Sequence, residues 1–331
     1  MIYEKQRDYY FDNLKLILIT LVVMGHVVEP LIGNYPKAKL LYSFIYSFHM
    51  PLFAFISGYF SKNNGSHKNI IYKINTILIP YIIFQLLYSL FNIYILKAEN
   101  FPITLVYPYW ITWYLLSLLL WNIVLPYFSK LRFSIIIAVI ISLMAGYDNN
   151  IGYYLSLSRT ITFFPYFLMG YFFKREYIIV LKHYISKPLS LVILLMSMLP
   201  ISFILYRIDY RWFYGSFSYA QINSTGLPGF LMKIFTYILA IFICTFILVL
   251  IPNSNLFFTN LGSRTMAVYL FHGFIVKLFV KYNILRMLIK DNAFINETLI
   301  ISLSLIIVFV LSSKIITKIT KSIVMTKLLR Y

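Results

Sequence analysis

A histidine and a glutamate three residues apart, His26 and Glu29, stand inside the first apolar run of the chain. That spacing puts both on one face of a helix. A carboxylate beside an imidazole fixes its tautomer and raises its basicity, as a general base requires. A second reading places Glu29 at the outer end of the run, facing water. Lys15 precedes His26 by about 16 Å of helix at 1.5 Å per residue, which sets His26 near mid-membrane. His49 lies about nine residues, some 14 Å, from the outer end of the second run. His272 lies roughly 12 Å from the cytoplasmic end of the ninth. Three histidines from three helices would then line one cavity, and ionisable groups at that depth are costly and by default functional. For His49 and His272 the competing reading is packing, a neutral ring hydrogen-bonded across helices. None of the three shows a close spacing such as HxxxH, so no metal site is expected. His67 and His183 lie in Lys-containing loops and read as solvated.

Only membrane-crossing helices can position these residues. The 331-residue chain is 61% hydrophobic and 12% charged, with a mean hydropathy of +0.80. A soluble domain carries about 25% charged residues. The long apolar runs predict an all-α polytopic membrane protein of about ten helices in one bundle. The expected spans are 14–32, 40–60, 71–96, 109–128, 132–147, 159–173, 188–206, 229–251, 264–282 and 297–313. With no Ser- or Gly-rich linker and no clear repeat, residues 1–331 read as a single domain. The first run follows a charged, aromatic stretch and precedes no small-residue cleavage site, so it is expected to be retained as a helix. A single cysteine, Cys244, excludes an intramolecular disulfide and any Cys-rich metal site, and reads as a core or lipid-facing residue.

The net charge of +19 is carried by short segments between apolar runs, a placement that argues against nucleic-acid binding. With both termini inside, the inner segments hold 18 Lys and Arg and the outer ones 9. That bias predicts cytoplasmic termini. Lys233 and Lys277 remain within spans. The longest outer loop, at about 207–228, is dense in Tyr, Trp, Arg, Asp and Asn. Aromatic faces with hydrogen-bonding neighbours suit a sugar, while an interfacial aromatic belt has the same composition.

Six stretches carry a resemblance to a known family. They are FDNLKLILITLVVMGHVVEP at 11–30, FHMPLFAFISGYFSK at 48–62, WYLLSLLLW at 113–121, SRTITFFPYFLMGYFFK at 158–174, YRWFYGSFSY at 210–219 and LGSRTMAVYLFH at 261–272. In that order they resemble the membrane acyltransferase 3 family, in particular its fucose 4-O-acetylase-like branch. The resemblance implies transfer of an acyl group, usually acetyl from acetyl-CoA, to hydroxyls of extracytoplasmic glycans. It implies a multi-pass protein of the bacterial cytoplasmic membrane, with polysaccharide-synthesis proteins as candidate partners. The first-helix signature of the family is an Arg, ten intervening residues and an essential His. Here the His is His26, and Lys15 stands at the Arg position, keeping the charge without the bidentate fork.

On that reading His26 is the general base and Glu29 orients it. Acyl-CoA is a donor substrate, and no permanently bound cofactor is expected. Its phosphates would meet Lys15, Arg264, Arg7, Lys62, Lys73 or Lys174 at the inner face. The acceptor would approach past Trp113, Arg159 and the aromatic loop with Trp212. His49, Arg159 and His272 would stabilise charge or position substrates. A transporter of a glycan or lipid-linked sugar is the main rival, since it too needs many helices and an aromatic path. It has no need of a base near mid-membrane, beside a cytoplasmic phosphate site. A structural scaffold has no use for three buried histidines.

Overall fold

The computed structural model describes residues 7–62, 74–288 and 293–324, which form helices and loops with no strand among them. Lys73 and His67 lie outside the described residues. The helices are α1 (Tyr9–Val28), α2 (Pro36–Tyr59), α3 (Ile79–Leu90, between π-helical turns Ile74–Leu78 and Phe91–Leu96) and α4 (Trp113–Phe128). They continue with α5 (Ser134–Ala145), α6 (Leu157–Phe172), α7 (Arg175–Tyr184), α8 (Lys187–Arg207) and α9 (Leu227–Leu250). The last are α10 (Thr265–Lys281), α11 (Ile284–Leu288), α12 (Ala293–Leu311) and α13 (Lys314–Val324).

Among the described residues, seven helical segments are long and apolar enough to cross a membrane, and an eighth is added if α12 and α13, bent by 62°, count as one span. Each of the ten expected spans coincides with a helix. Those expected at 132–147 and 159–173 are α5 and α6, of 12 and 16 residues, shorter than the roughly 17–25 that a span needs. The chain is thus a polytopic, all-helical membrane protein. α8 shows what lipid contact looks like here: Leu195, Met196, Leu199 and Phe203 are each more than half exposed, a surface that only hydrocarbon can solvate.

α1 is the central element. Its start is set by Asp8, whose side chain accepts from the Tyr10 N–H and so caps the first turn. α2 runs back antiparallel beside it, with Phe11 stacked on Tyr59 at one end and Gly25 against Tyr46 at the other. α10 and α12 cover other faces of α1. α2 in turn packs closely on α6, where glycines let the backbones meet. A Cβ on Gly58 would lie 1.8 Å from the Phe167 carbonyl oxygen, and one on Gly170 would lie 1.8 Å from that of Phe55. Small residues at such crossings are the usual device for close helix packing in lipid.

The segment after α6 departs from the expected loop. α7 is a short helix whose Ile178 is buried while Lys182 and His183 occupy its last turn. Arg175 at its start bonds Asp8 at 3.0 Å and lies over the Tyr10 ring, so α7 holds the beginning of α1. Exposed His183 is solvated.

Candidate active site

The first turns of α1 are held by a buried polar network. The Asn13 amide donates to the carbonyls of Pro252 and Ser254, each at 3.0 Å, and its oxygen accepts from Thr259 Oγ1 at 2.6 Å. Gly262 closes against the same turn, since a Cβ there would lie 1.9 Å from the Asp12 carbonyl oxygen. Buried Asp12 receives both Arg7 and Lys15, the latter at 2.8 Å. Lys15 is anchored by that contact and lies 5.6 Å from the centre of the Phe60 ring.

Three turns further on, His26 Nδ1 lies 3.0 Å from Glu29 Oε2. The Tyr46 hydroxyl is 3.3 Å from the same nitrogen. With Nδ1–H donated to the carboxylate, Nε2 carries the lone pair and is the basic position. The ring is fixed on two further sides: Trp110 meets it edge-on at 4.5 Å, and His272 stacks on it at 5.4 Å. Glu29 is held in its turn. The Trp110 indole reaches its carboxylate, and the Lys277 ammonium acts on it electrostatically. Lys277 also lies 4.4 Å over the Trp110 ring.

A cavity of about 800 Å³ runs alongside these residues between α1, α2, α3, α4, α6 and α10. Lys15, Phe60, Asn122 and Thr265 line one end, His26, Tyr46 and His49 its middle, and Glu29, Trp113, Arg159 and Tyr214 the other end. From Lys15 to Glu29 is about 21 Å of helix, most of a hydrocarbon core of roughly 30 Å. The first end adjoins the beginning of α1 and the last turn of α2, and the second adjoins the opposite ends of those helices. One continuous space therefore connects a cation near one face with an aromatic, Arg-containing chamber near the other.

The comparison with known families decides how that space is read. Residues 8–317 match the acyltransferase domain family, nearly the whole chain. The protein belongs to the acyltransferase 3 family. Among curated proteins, Nodulation protein NolL of Mesorhizobium japonicum is 51% identical over 59 residues. That stretch covers 17% of this chain and 16% of the relative. No solved structure matches.

Within this acyltransferase 3 domain, six of the expected site residues line the cavity: Lys15, His26, Glu29, His49, Trp113 and Arg159. Three do not. His272 donates Nδ1–H to the Val268 carbonyl at 2.9 Å and stacks behind His26, fully buried, with its Nε2 unpartnered. The three histidines are therefore close together, but only two of them face the cavity. Trp212 sits in the helical turn Tyr210–Tyr214, which aims its ring at Tyr219, 5.9 Å away, while Tyr214 of the same turn reaches the cavity. Arg264 precedes α10 and donates to the Ser312 carbonyl at 3.0 Å, outside the cavity. Of the other cations expected at the inner face, Arg7 bonds Asp12 and Asn260, Lys62 donates to the Phe173 carbonyl, and Lys174 is exposed. No group of three or more His, Cys, Asp or Glu placed to hold a metal ion occurs among the described residues.

His49 donates Nδ1–H to the Ile45 carbonyl at 2.7 Å and packs on Tyr46, so its Nε2 too is an acceptor. Arg159 lies between the faces of Trp113 and Tyr153, 5.1 and 5.0 Å from their centres. Its Nε donates to the Tyr214 carbonyl at 3.4 Å, and no described carboxylate pairs with it.

Sequence reasoning missed Tyr46, Trp110, Lys277 and Gln85. Gln85 donates to the Thr104 and Tyr107 carbonyls and accepts from the Tyr109 N–H and Thr112 Oγ1. It thereby ties the segment around 101–112 over the cavity. A polar amide inside the apolar run of α3 was the available signal. Lys277 gave a similar one, as a lone cation inside a span.

Proposed function

We propose that this chain is a membrane O-acyltransferase, most simply an O-acetyltransferase, of the bacterial cytoplasmic membrane. It moves an acyl group from cytoplasmic acyl-CoA to a hydroxyl of an extracytoplasmic cell-surface sugar or polysaccharide. The observation that carries this reading is the single cavity with Lys15 at one end, the His26–Glu29 pair within it and Arg159 among aromatic rings at the other. In the proposed topology the ten helical segments cross the bilayer, with both termini cytoplasmic. Acyl-CoA enters as a substrate, no permanently bound cofactor takes part, and polysaccharide-synthesis proteins are the partners that would supply acceptor.

The steps follow from the geometry. The CoA phosphates meet Lys15, and the pantetheine arm extends along the cavity to bring the thioester beside His26. The acceptor enters past Trp113, Arg159 and Tyr214, whose ring faces suit the C–H faces of a sugar. His26 Nε2 takes the proton of the acceptor hydroxyl as its oxygen attacks the thioester carbonyl carbon. The imidazolium formed is stabilised by Glu29. When the tetrahedral intermediate collapses, the C–S bond breaks and the CoA thiolate leaves, taking the proton back from His26. Ester and free CoA are the products, so the atoms balance without a further reactant. Arg159, which pairs with no described carboxylate, would meet negative charge in the outer chamber.

If Lys15 meets the CoA phosphates, Lys15→Ala should weaken acetyl-CoA binding about tenfold or more while Lys15→Arg keeps it. Isothermal titration with acetyl-CoA measures this. Unchanged affinity in Lys15→Ala would move the phosphate site elsewhere.

The topology is tested with single cysteines in a Cys244→Ser background. In the proposed topology Tyr184, 78% exposed at the end of α7, would face the inner side, and exposed Thr225, before α9, the outer side. An impermeant thiol reagent added to intact cells should label Thr225→Cys and spare Tyr184→Cys. The reverse pattern would place the Lys15 end of the cavity outside, away from the CoA pool, and end the scheme.

A further inference from the structure

We propose that α13 is a membrane-surface helix that binds the headgroups of anionic phospholipids beside the Lys15 end of the cavity. α12 alone has 19 residues, about 28 Å at 1.5 Å per residue, and spans the hydrocarbon without help. The chain then bends by 62° rather than continuing. The bend is latched by Arg264, whose guanidinium donates to the Ser312 carbonyl at 3.0 Å, between the two helices. That latch gives Arg264 a role outside the cavity.

α13 has three faces. Ile316, Thr320 and Ile323 turn toward the protein. Lys314, Lys318 and Lys321, at i, i+4 and i+7, form one exposed stripe. Ile315 and Ile319 form a second exposed stripe beside it, 74% and 50% accessible. No described carboxylate pairs with the three lysines. A cationic row flanked by bare isoleucines fits a helix lying in the interface, with ammonium groups among phosphates and side chains in the acyl region. A soluble nucleotide would satisfy the lysines and leave the isoleucines in water; a phospholipid satisfies both. The lysines also do not line the cavity.

The position gives the contact a consequence. Ile323 and Val324 belong to the same apolar cluster as Ile77, Leu78 and Met266. Ile77 and Met266 line the cavity. Lipid held on α13 therefore steadies a wall of the cavity near Lys15.

The test is a titration of the purified full-length protein with phosphatidylglycerol or phosphatidylcholine of matched chains, read by native mass spectrometry. The wild type should prefer phosphatidylglycerol. The K314Q/K318Q/K321Q variant should lose that preference, at about fivefold per lysine and on the order of a hundredfold in all. The corresponding triple Arg variant should keep it, and K318Q alone should show the single step if the triple Gln variant does not fold. Equal binding of the two lipids by the wild type would overturn the proposal, as would an undiminished preference in the Gln variants. Displacement of phosphatidylglycerol by free CoA at equal concentration would assign the stripe to the nucleotide instead and overturn it too.

Discussion

Replacing His26 with alanine is expected to lower the acyl-transfer rate by about 10²–10⁴-fold, the usual worth of a general base. The loss should fall on kcat rather than on acetyl-CoA affinity, because the donor phosphates are assigned to Lys15, some three turns away. Folding should survive. His26 is packed by Trp110, Tyr46 and His272, but its hydrogen bonds go to side chains and not to the backbone of another helix. Steady-state rates with a glycan extract as acceptor, beside size-exclusion profiles in detergent, separate the two effects. Turnover within tenfold of the wild type in a well-folded His26→Ala protein would remove the base from the scheme.

The second large effect is expected at Glu29. Glutamine is nearly isosteric, yet it removes the charge that stabilises the imidazolium. It can also present its amide N–H₂ to Nδ1, which favours the tautomer with its proton on Nε2 and its lone pair on the wrong nitrogen. Glu29→Gln should therefore cost about 10²-fold in kcat, within the range for losing general-base action. This decides between the two readings that the spacing alone left open. A Glu29 that merely ends the helix and faces water would tolerate glutamine with little change in rate. In the structure the carboxylate bonds His26 at 3.0 Å and is reached by the Trp110 indole, with the Lys277 charge acting on it from further off, and water-facing duty needs none of these.

The legible part of this site lies on one helix. Lys15, His26 and Glu29 follow one another along α1 and the helical turn that closes it, so counting residues put all three on one face, and all three line the cavity. The ten helical segments were legible because each is a predominantly apolar run. What spacing could not supply was rotation. His49 and His272 share a depth with His26, but only packing reveals that His49 faces the cavity while His272 stands behind His26. Trp212 and Tyr214 are two residues apart in one aromatic loop, and its composition does not say which ring turns inward. Arg264 looked like a phosphate ligand because it is a cation expected at the inner face, whereas its guanidinium bonds the Ser312 carbonyl between α12 and α13. Tyr46, Trp110 and Lys277 come to His26 and Glu29 from different elements, so no local pattern announces them. The short α5 and α6 show the limit of hydropathy itself. Both are apolar, but α6 packs on α2, α4 and α5 and is shorter than a straight span requires.

The central claim is that an acyl group passes from one side of the membrane to a hydroxyl on the other through the cavity that His26 lines. Sealed right-side-out membrane vesicles carrying the protein and its envelope glycans test it directly. With ¹⁴C-acetyl-CoA enclosed in the lumen, which corresponds to the cytoplasm, label should accumulate in alkali-labile esters of the exposed glycan. With His26→Ala the label should stay in the lumen, and acetyl-CoA supplied only outside should label nothing. Equal labelling from outside, or transfer that persists without His26, would contradict the account.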